Sequence, residues 1–286
     1  MRFILLVLSC AYGSFAALSP GIAENPIFLV IPKTDRAEVG SGFLFSHTNG
    51  IFLVTARHVL FDQGPSNTWS IKGTNLLMSY LSPTRREPLG GTVNLGMLDQ
   101  RQMIAYHAKR DVAIVHLQVH TERGDAPLSF RNASNEFVLA VNLPTQLPQV
   151  SFEGVTRRIK DIKAGDTSYV LGYPSSVTLK WAGILDPERP LIRQALIADV
   201  DQARGHIVLD CAVYKGNSGG LVMVQDDSSI PPRLFTIGVV SKFIPFPEEW
   251  EHKEFGFKYV TTSNSGYAVV EPMDGVIELL EAFKIP

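Results

Sequence analysis

Apolar residues in this chain come in short runs, rich in β-branched and aromatic side chains and closed off by turn formers, and that pattern points to a β architecture. The run 27–31 stops at Pro32, and runs 41–46 and 51–55 flank His47-Thr48-Asn49-Gly50, where Asn-Gly predicts a hairpin. Further strands are expected at 111–117, 137–141, 167–171, 191–199, 206–209, 220–224, 234–240 and 266–270. Only Met273, Val276, Ile277, Leu280 and Phe283 recur at helical spacing, with Asp274 as the expected N-cap. Segments 64–68, 83–91 and 225–233 read as loops. Many short strands and one terminal helix predict an all-β barrel or sandwich architecture.

Composition narrows the partners. Lys+Arg 26 against Asp+Glu 28 leaves a net charge of −2, without the basic excess of a nucleic-acid binder, and 45% hydrophobic residues exclude a disordered chain. At 286 residues the chain is long enough for one large β domain or two small ones. Residues 1–16 read as a secretory signal peptide: Met1-Arg2, the apolar run 3–8, then Ser14 and Ala16 at the −3 and −1 positions. The run is too short for a membrane anchor, which needs about 20 apolar residues. Export to a secreted or periplasmic location is therefore the expectation, with no membrane association of the mature form and with lipidation of Cys10 as a lesser alternative. Cleavage would leave Cys211 as the single thiol. No Cys-x-x-Cys occurs, so paired-cysteine metal binding is excluded and no cofactor is expected.

Three separated sites carry chemistry. Lys215-Gly216-Asn217-Ser218-Gly219-Gly220 sets a serine among glycines; a hydroxyl needs a base beside it and donors facing the carbonyl it attacks, and glycine permits the backbone geometry that aims N–H groups into one pocket. Taken alone the segment also reads as a glycine-rich turn. Upstream, Leu53-Val54-Thr55-Ala56-Arg57-His58 puts a histidine at the end of an apolar strand, a rigid place for a base. Between them, Arg110-Asp111-Val112-Ala113 puts an acid at the head of a buried-looking strand, where it needs a partner such as an imidazole N–H.

In this order the three sites resemble the chymotrypsin-like, trypsin-fold serine peptidases, above all bacterial Deg/HtrA-type and glutamyl-endopeptidase-like members. Thr55-Ala56-Arg57-His58, Asp111-Val112-Ala113 and Gly216–Gly220 match that family's motifs. Gly172-Tyr173-Pro174, Asp210 and Ser265-Gly266-Tyr267-Ala268-Val269 agree as landmarks. The resemblance implies two packed antiparallel β-barrels, at about 25–127 and 148–272, with the short helix packing last to complete a peptidase domain over 25–286. It also implies Ser218 as nucleophile, His58 as general base, Asp111 as orienting acid, and the Gly216 and Ser218 N–H groups as an oxyanion hole. Ala212, six residues before Ser218, would floor the primary pocket and favour a modest apolar side chain, with Val239, Val240 and Ser241 as a wall reshaped by loops over 242–258.

Departures from the family accompany these expectations. Lys215 replaces the proline usual in Deg-type chains, and Asn217 has no charge with which to hold a freed N-terminus, so activation of that kind is not expected. Little chain follows the helix, which leaves no length for a PDZ module. The implied partner is a protein or peptide substrate; the alternatives are a protease-like binding protein without turnover, or an esterase using the same site. His107 is expected on a solvated loop, His116 and His120 are four residues apart with no helix or acid partner to support a metal site, Arg85-Arg86 and 157–160 are small basic patches, Cys211 reads as a buried filler, and Asn132-Ala133-Ser134 fits a glycosylation sequon.

Overall fold

The computed structural model describes residues 20–284 apart from 49, 83, 85–86, 132–133, 149, 175–185, 187 and 230–231. The expected signal peptide, Arg85-Arg86 and part of the sequon lie outside them. Strand Ala37–His47 pairs with Pro26–Pro32 on one side and Gly50–Thr55 on the other, the second pair turning at His47↔Gly50 as the Asn-Gly signal predicts. Around them a curled sheet runs in the order Gly124–Pro127, Ala113–Thr121, Gly50–Thr55, Ala37–His47, Pro26–Pro32, Asn75–Leu81, Pro88–Asn94, Val141–Asn142. Ile104–Tyr106 joins beside Ala113–Thr121, and Val150–Phe152 pairs in parallel with Ala37–His47. The first sheet thus takes strands from beyond the expected boundary at 127. It curls without closing by strand pairing. Its ends are joined by single backbone bonds through the intervening segment: Leu128 N–H to Leu117 C=O, Ala140 N–H to Leu128 C=O, and Asn94 N–H to Ala140 C=O.

The second half closes completely. Strands Thr167–Gly172, Leu191–Asp201, His206–Asp210, Phe257–Pro272, Arg233–His252 and Leu221–Asp226 form a six-stranded barrel, filled by Ile197, Ile207, Leu209, Val222, Ile237, Val240 and Val270 among others. The larger core belongs to the first sheet but also takes in Leu171, Leu221, Met223 and Val239 from the barrel, so apolar packing is continuous across the junction. Fold class agrees with the sequence, mostly β with a helix at the end; the short helices Arg57–Leu60 and Leu95–Gln100 are additions.

That helix, Met273–Ala282, follows the barrel in sequence yet packs into the first core through Met273, Val276, Ile277 and Leu280, with Phe283 just beyond it edge-on to Phe52 at 5.3 Å. Its N-cap is Pro272, not Asp274; the Asp274 carboxylate instead accepts the Ile159 N–H at 2.8 Å. Two further differences concern strands. Asn75–Leu81 and Pro88–Asn94 pair over seven positions although Leu- and Met-rich composition gives the first no β-branched signal, and the second lies partly in an expected loop. The expected loops over 242–258 are a ribbon: the two longest strands continue past the barrel as an antiparallel pair from Pro245↔Asn264 to His252↔Phe257. Trp250 and Tyr259 stack on one face of this ribbon, and Lys258 and Glu251 pair at 3.7 Å on the other. Pro245 and Pro247 fit there because a two-stranded ribbon has N–H groups on its outer edges that need no partner strand.

Candidate functional site

The apolar strand Gly50–Thr55 ends at Ala56, whose extended backbone turns the chain into a single helical turn, Arg57–Leu60. The turn has no side-chain cap from its own sequence. Asp111 supplies one from a distance: one carboxylate oxygen accepts the His58 backbone N–H at 3.0 Å, the other the ring Nδ1 at 2.7 Å. Arg57 fastens the same turn, donating to the carbonyls of His107 and Ala108 at 2.7 and 3.2 Å with its guanidinium 4.0 Å over the Trp69 ring.

Residues ahead of Asp111 are organised by His107. Its Nδ1 accepts the Lys109 and Arg110 N–H groups at 3.1 and 2.9 Å, which leaves Nε2 to donate to Glu278 of the helix at 3.0 Å. His107 is therefore a structural pin rather than a solvated loop residue.

A third donor reaches Asp111 from the other half. Ser241 Oγ donates to Oδ2 at 2.7 Å, so the carboxylate takes three hydrogen bonds in all. Burial by itself would raise this carboxyl, but the His58 ring bond and charge, the Ser241 hydroxyl and the His58 N–H outweigh it and hold Asp111 below the ordinary carboxylate value. Ser241 also reaches Ser218: its carbonyl accepts the Ser218 hydroxyl at 3.2 Å. Ser241 thus links acid and serine directly, a different place from the pocket wall expected of it. No hydrogen bond joins Ser218 Oγ to His58 among the described residues.

The serine sits in a loop held by its backbone. Asn217, 2% exposed, closes a turn with Tyr214 through its N–H and its Oδ1, at 2.9 and 3.0 Å. Gly219 donates to the Val240 carbonyl and Gly220 to the Asn217 carbonyl. Gly216 and Gly219 have φ of +94° and +84°, left-handed backbone that favours glycine. At Gly219 a Cβ would lie 2.0 Å from the Ser41 carbonyl and 2.1 Å from Thr55 Oγ1, so space as well as conformation demands glycine. The N–H groups of Gly216 and Ser218 donate to no described residue.

Ser41 belongs to the candidate site, and sequence reasoning passes over it. Fully buried, it donates its N–H to the Ser218 carbonyl and its hydroxyl to the Gly216 carbonyl, each at 2.7 Å, while its Oγ accepts the Tyr173 N–H and its carbonyl accepts Thr55 Oγ1. One residue of the first sheet thereby holds both ends of the Gly216–Ser218 segment. Its signal is a hydroxyl between glycines, Gly40-Ser41-Gly42, in a stretch that is otherwise apolar from Val39 to Phe45.

The expected pocket is partly redrawn. Val239 and Val240 are fully buried in the two cores and their side chains line no surface. Ala212 is half-buried, and its carbonyl accepts a hydrogen bond from the Arg193 guanidinium, which also lies 4.8 Å over the Tyr214 ring. Cys211 lies outside any strand, half-buried, with burial pushing its thiol up. His116 is stacked on Phe52 in the core and His120 pairs with Asp125 at 2.6 Å, far apart in role.

The trypsin-like peptidase domain family matches residues 40–229, well over half of the 286-residue chain. The chain belongs to that family. Two solved structures with the trypsin-like fold cover it nearly end to end. A human heparin binding protein is 10% identical, covers 93% of this chain and 93% of its own, and has a TM-score of 0.51. A thermostable serine protease, AL20, from an extremophilic microorganism is 10% identical, with coverage of 91% and 96% and a TM-score of 0.50. The HtrA-type protease AlgW with tripeptide is 15% identical over 91% of this chain at a TM-score of 0.48, and this chain spans 60% of its length. No curated protein matches the chain in sequence. Of the two that cover the chain nearly end to end, one is named for binding and one for proteolysis, so the fold is shared while function rests on the site.

Proposed function

We propose that this trypsin-like domain is a serine endopeptidase acting on protein or peptide substrates through His58, Asp111 and Ser218. The observation that carries the reading is Ser241, whose hydroxyl holds Asp111 while its carbonyl holds the Ser218 hydroxyl, so that acid, base and nucleophile share one small cluster. The hydroxyl swings from the Ser241 carbonyl to His58 Nε2 when a substrate enters; loose hydrogen bonds of this kind in a free enzyme tighten on binding. Ser218 Oγ then forms a bond to the scissile carbonyl carbon as its proton passes to Nε2. Asp111, already on Nδ1, fixes the tautomer and stabilises the imidazolium. The Gly216 and Ser218 N–H groups receive the oxyanion, a contribution of roughly 2.7–4 kcal/mol per donor in a comparable hydrolase. Collapse breaks the C–N bond, the imidazolium protonates the leaving amine, and water attacks the acyl-enzyme by the same route in reverse.

The basic start and short apolar run at residues 1–16 support export of the mature domain to a secreted or periplasmic location. A second reading, a binding protein without turnover, is favoured by one observation: the Ser218 hydroxyl is bonded to Ser241 rather than to His58. A fluorophosphonate probe separates the two. Labelling of the folded protein that disappears in Ser218→Ala, together with casein cleavage, is expected; a folded protein that resists labelling at every pH would leave the binding reading standing.

A further inference from the structure

Two arginines at the candidate site lack a partner that half-buried arginines elsewhere in the fold possess. Arg110, Arg157 and Arg158 are half-buried, and each pairs with a carboxylate: Glu271, Asp226 and Glu153 in turn. Arg57 and Arg193 are half-buried too, but no carboxylate among the described residues pairs with either. Arg101, Arg123, Arg131 and Arg233 also go without an acid there, yet these four are exposed, where water screens the charge. A cation withdrawn from water needs a counter-charge. The two at the site are the exceptions.

Both are held in the same manner, by backbone carbonyls and an aromatic ring. Arg57 donates to the His107 and Ala108 carbonyls and lies 4.0 Å over Trp69; Arg193 donates to the Ala212 carbonyl and lies 4.8 Å over Tyr214. Carbonyls satisfy N–H groups but leave the charge uncompensated, and the Arg57 Nε is buried without any hydrogen bond. Arg57 directly precedes His58 and, with Gln63, Trp69, Tyr106 and Ala108, lines a cleft of about 330 Å³. Arg193 reaches the serine loop from strand Leu191–Asp201: its ring partner Tyr214, 42% exposed, is bonded twice to Asn217, the neighbour of Ser218. Each guanidinium is thus fixed in advance beside one arm of the site, and a planar fork fixed in this way matches a carboxylate.

We propose that the site is built for acidic polypeptides, with Arg57 receiving a substrate carboxylate on the His58 side and Arg193 another on the Ser218 side. The proposal rests on the peptidase reading and names its substrate class. It replaces the apolar preference expected from Ala212 alone, because the Ala212 carbonyl carries a cation. The net charge of −2 gives an acidic chain no general attraction, so the selectivity is local to these two groups.

The test digests a peptide library with the wild-type protein and locates, by mass spectrometry, the positions around the cleaved bonds where Asp and Glu are enriched. Matched synthetic peptides with Glu or Gln at those positions then give the ratio of kcat/KM. A ratio of roughly ten- to a hundredfold in favour of Glu is expected at two positions, the range of one hydrogen bond to a charged group. Arg193→Gln should abolish the ratio at one position and Arg57→Gln at the other. A guanidinium that only fastens its loop would slow the Glu and Gln peptides alike, so a ratio that survives in either variant overturns the proposal. A wild-type digest without acidic enrichment overturns it as well. Arg193→Lys and Arg57→Lys decide if a Gln form does not fold: each keeps the charge without the fork, and its ratio should fall but still favour Glu, an unchanged ratio being the contrary result. Absence of Ser218-dependent labelling strikes the peptidase reading instead. Fluorescence anisotropy of a labelled Glu-rich peptide and its Gln counterpart then decides the acid selectivity, and equal binding of the two overturns it.

Discussion

The two sides of the candidate site are held by different means. On the base side, side chains do the holding: Asp111 takes the His58 ring, the His58 N–H and the Ser241 hydroxyl, each at 2.7–3.0 Å. On the nucleophile side the backbone does it. Gly216 and Gly219 adopt left-handed conformations, Ser41 bonds the main chain of Gly216 and Ser218, and no side chain holds Ser218 Oγ in an attacking pose. A charge-assisted side-chain network can lose one member and leave the fold intact. A backbone loop packed against a second backbone has no such tolerance, because a single added carbon collides. The base side is therefore where chemistry is altered without unfolding, and the nucleophile loop is where most substitutions other than at Ser218 itself act through folding.

Predictions follow this contrast in decreasing size. Ser218→Ala, which changes the one side chain the loop presents, should lower kcat on a peptide substrate on the order of 10⁶-fold, the cost of losing a nucleophile in a triad hydrolase, with an unchanged melting temperature. Asp111→Asn should lower kcat about 10⁴-fold by stabilising the wrong His58 tautomer, with far-UV circular dichroism unaltered; full activity would break the base-side account. Gly219→Ala should act in the opposite manner. The steric and backbone strain at that position predicts a loss of about 3 kcal/mol or more, visible as a melting temperature lower by roughly 6–12 °C. A wild-type melting curve would show that the loop is not locked.

Ser241→Ala removes the hydroxyl from Asp111 but keeps the carbonyl that holds Ser218. Loss of one bond to a charged group is worth about 1.5–3 kcal/mol, which predicts a fall in kcat between ten- and a hundredfold with KM nearly constant. The smallest effect concerns pH. Asp111 is held below its ordinary value in the folded state, so the unfolded chain binds more protons in that interval and stability rises with pH through it. The contribution is complete above the ordinary carboxylate range and is lost as pH falls through the folded-state value. Wild type should thus be more stable than Asp111→Asn at neutral pH, and the difference should vanish in acid urea titrations.

Elsewhere the molecule repeats the lesson that context decides what a pattern means. Trp250, His252 and Phe255 lie in a region that reads as loop, because Pro245, Pro247 and a run of acidic residues are poor strand formers. The segment is nevertheless strand where its own partner strand returns beside it, with Trp250 on Tyr259 and His252 on Phe257. The family resemblance makes Val239 and Val240 pocket walls, but a strand inside a barrel sends alternate side chains to opposite faces, and here both faces are core.

What the amino-acid order alone determined is the local part: short strands, the hairpin turning between His47 and Gly50, the helix by its spacing, and the candidacy of His58, Asp111 and Ser218 from the residues next to each. Those signals are legible because strand ends, turns and glycine-rich loops are decided within a few neighbours along the chain. Tertiary structure alone decided the parts that join distant segments: Ser41 under the serine loop, Ser241 between Asp111 and Ser218, Glu271 beside Arg110 and His206, and the helix returning to the first core. A hydroxyl or a carboxylate carries no mark in its own neighbourhood of the donor it will meet, since the partner is set by how two independently formed sheets pack.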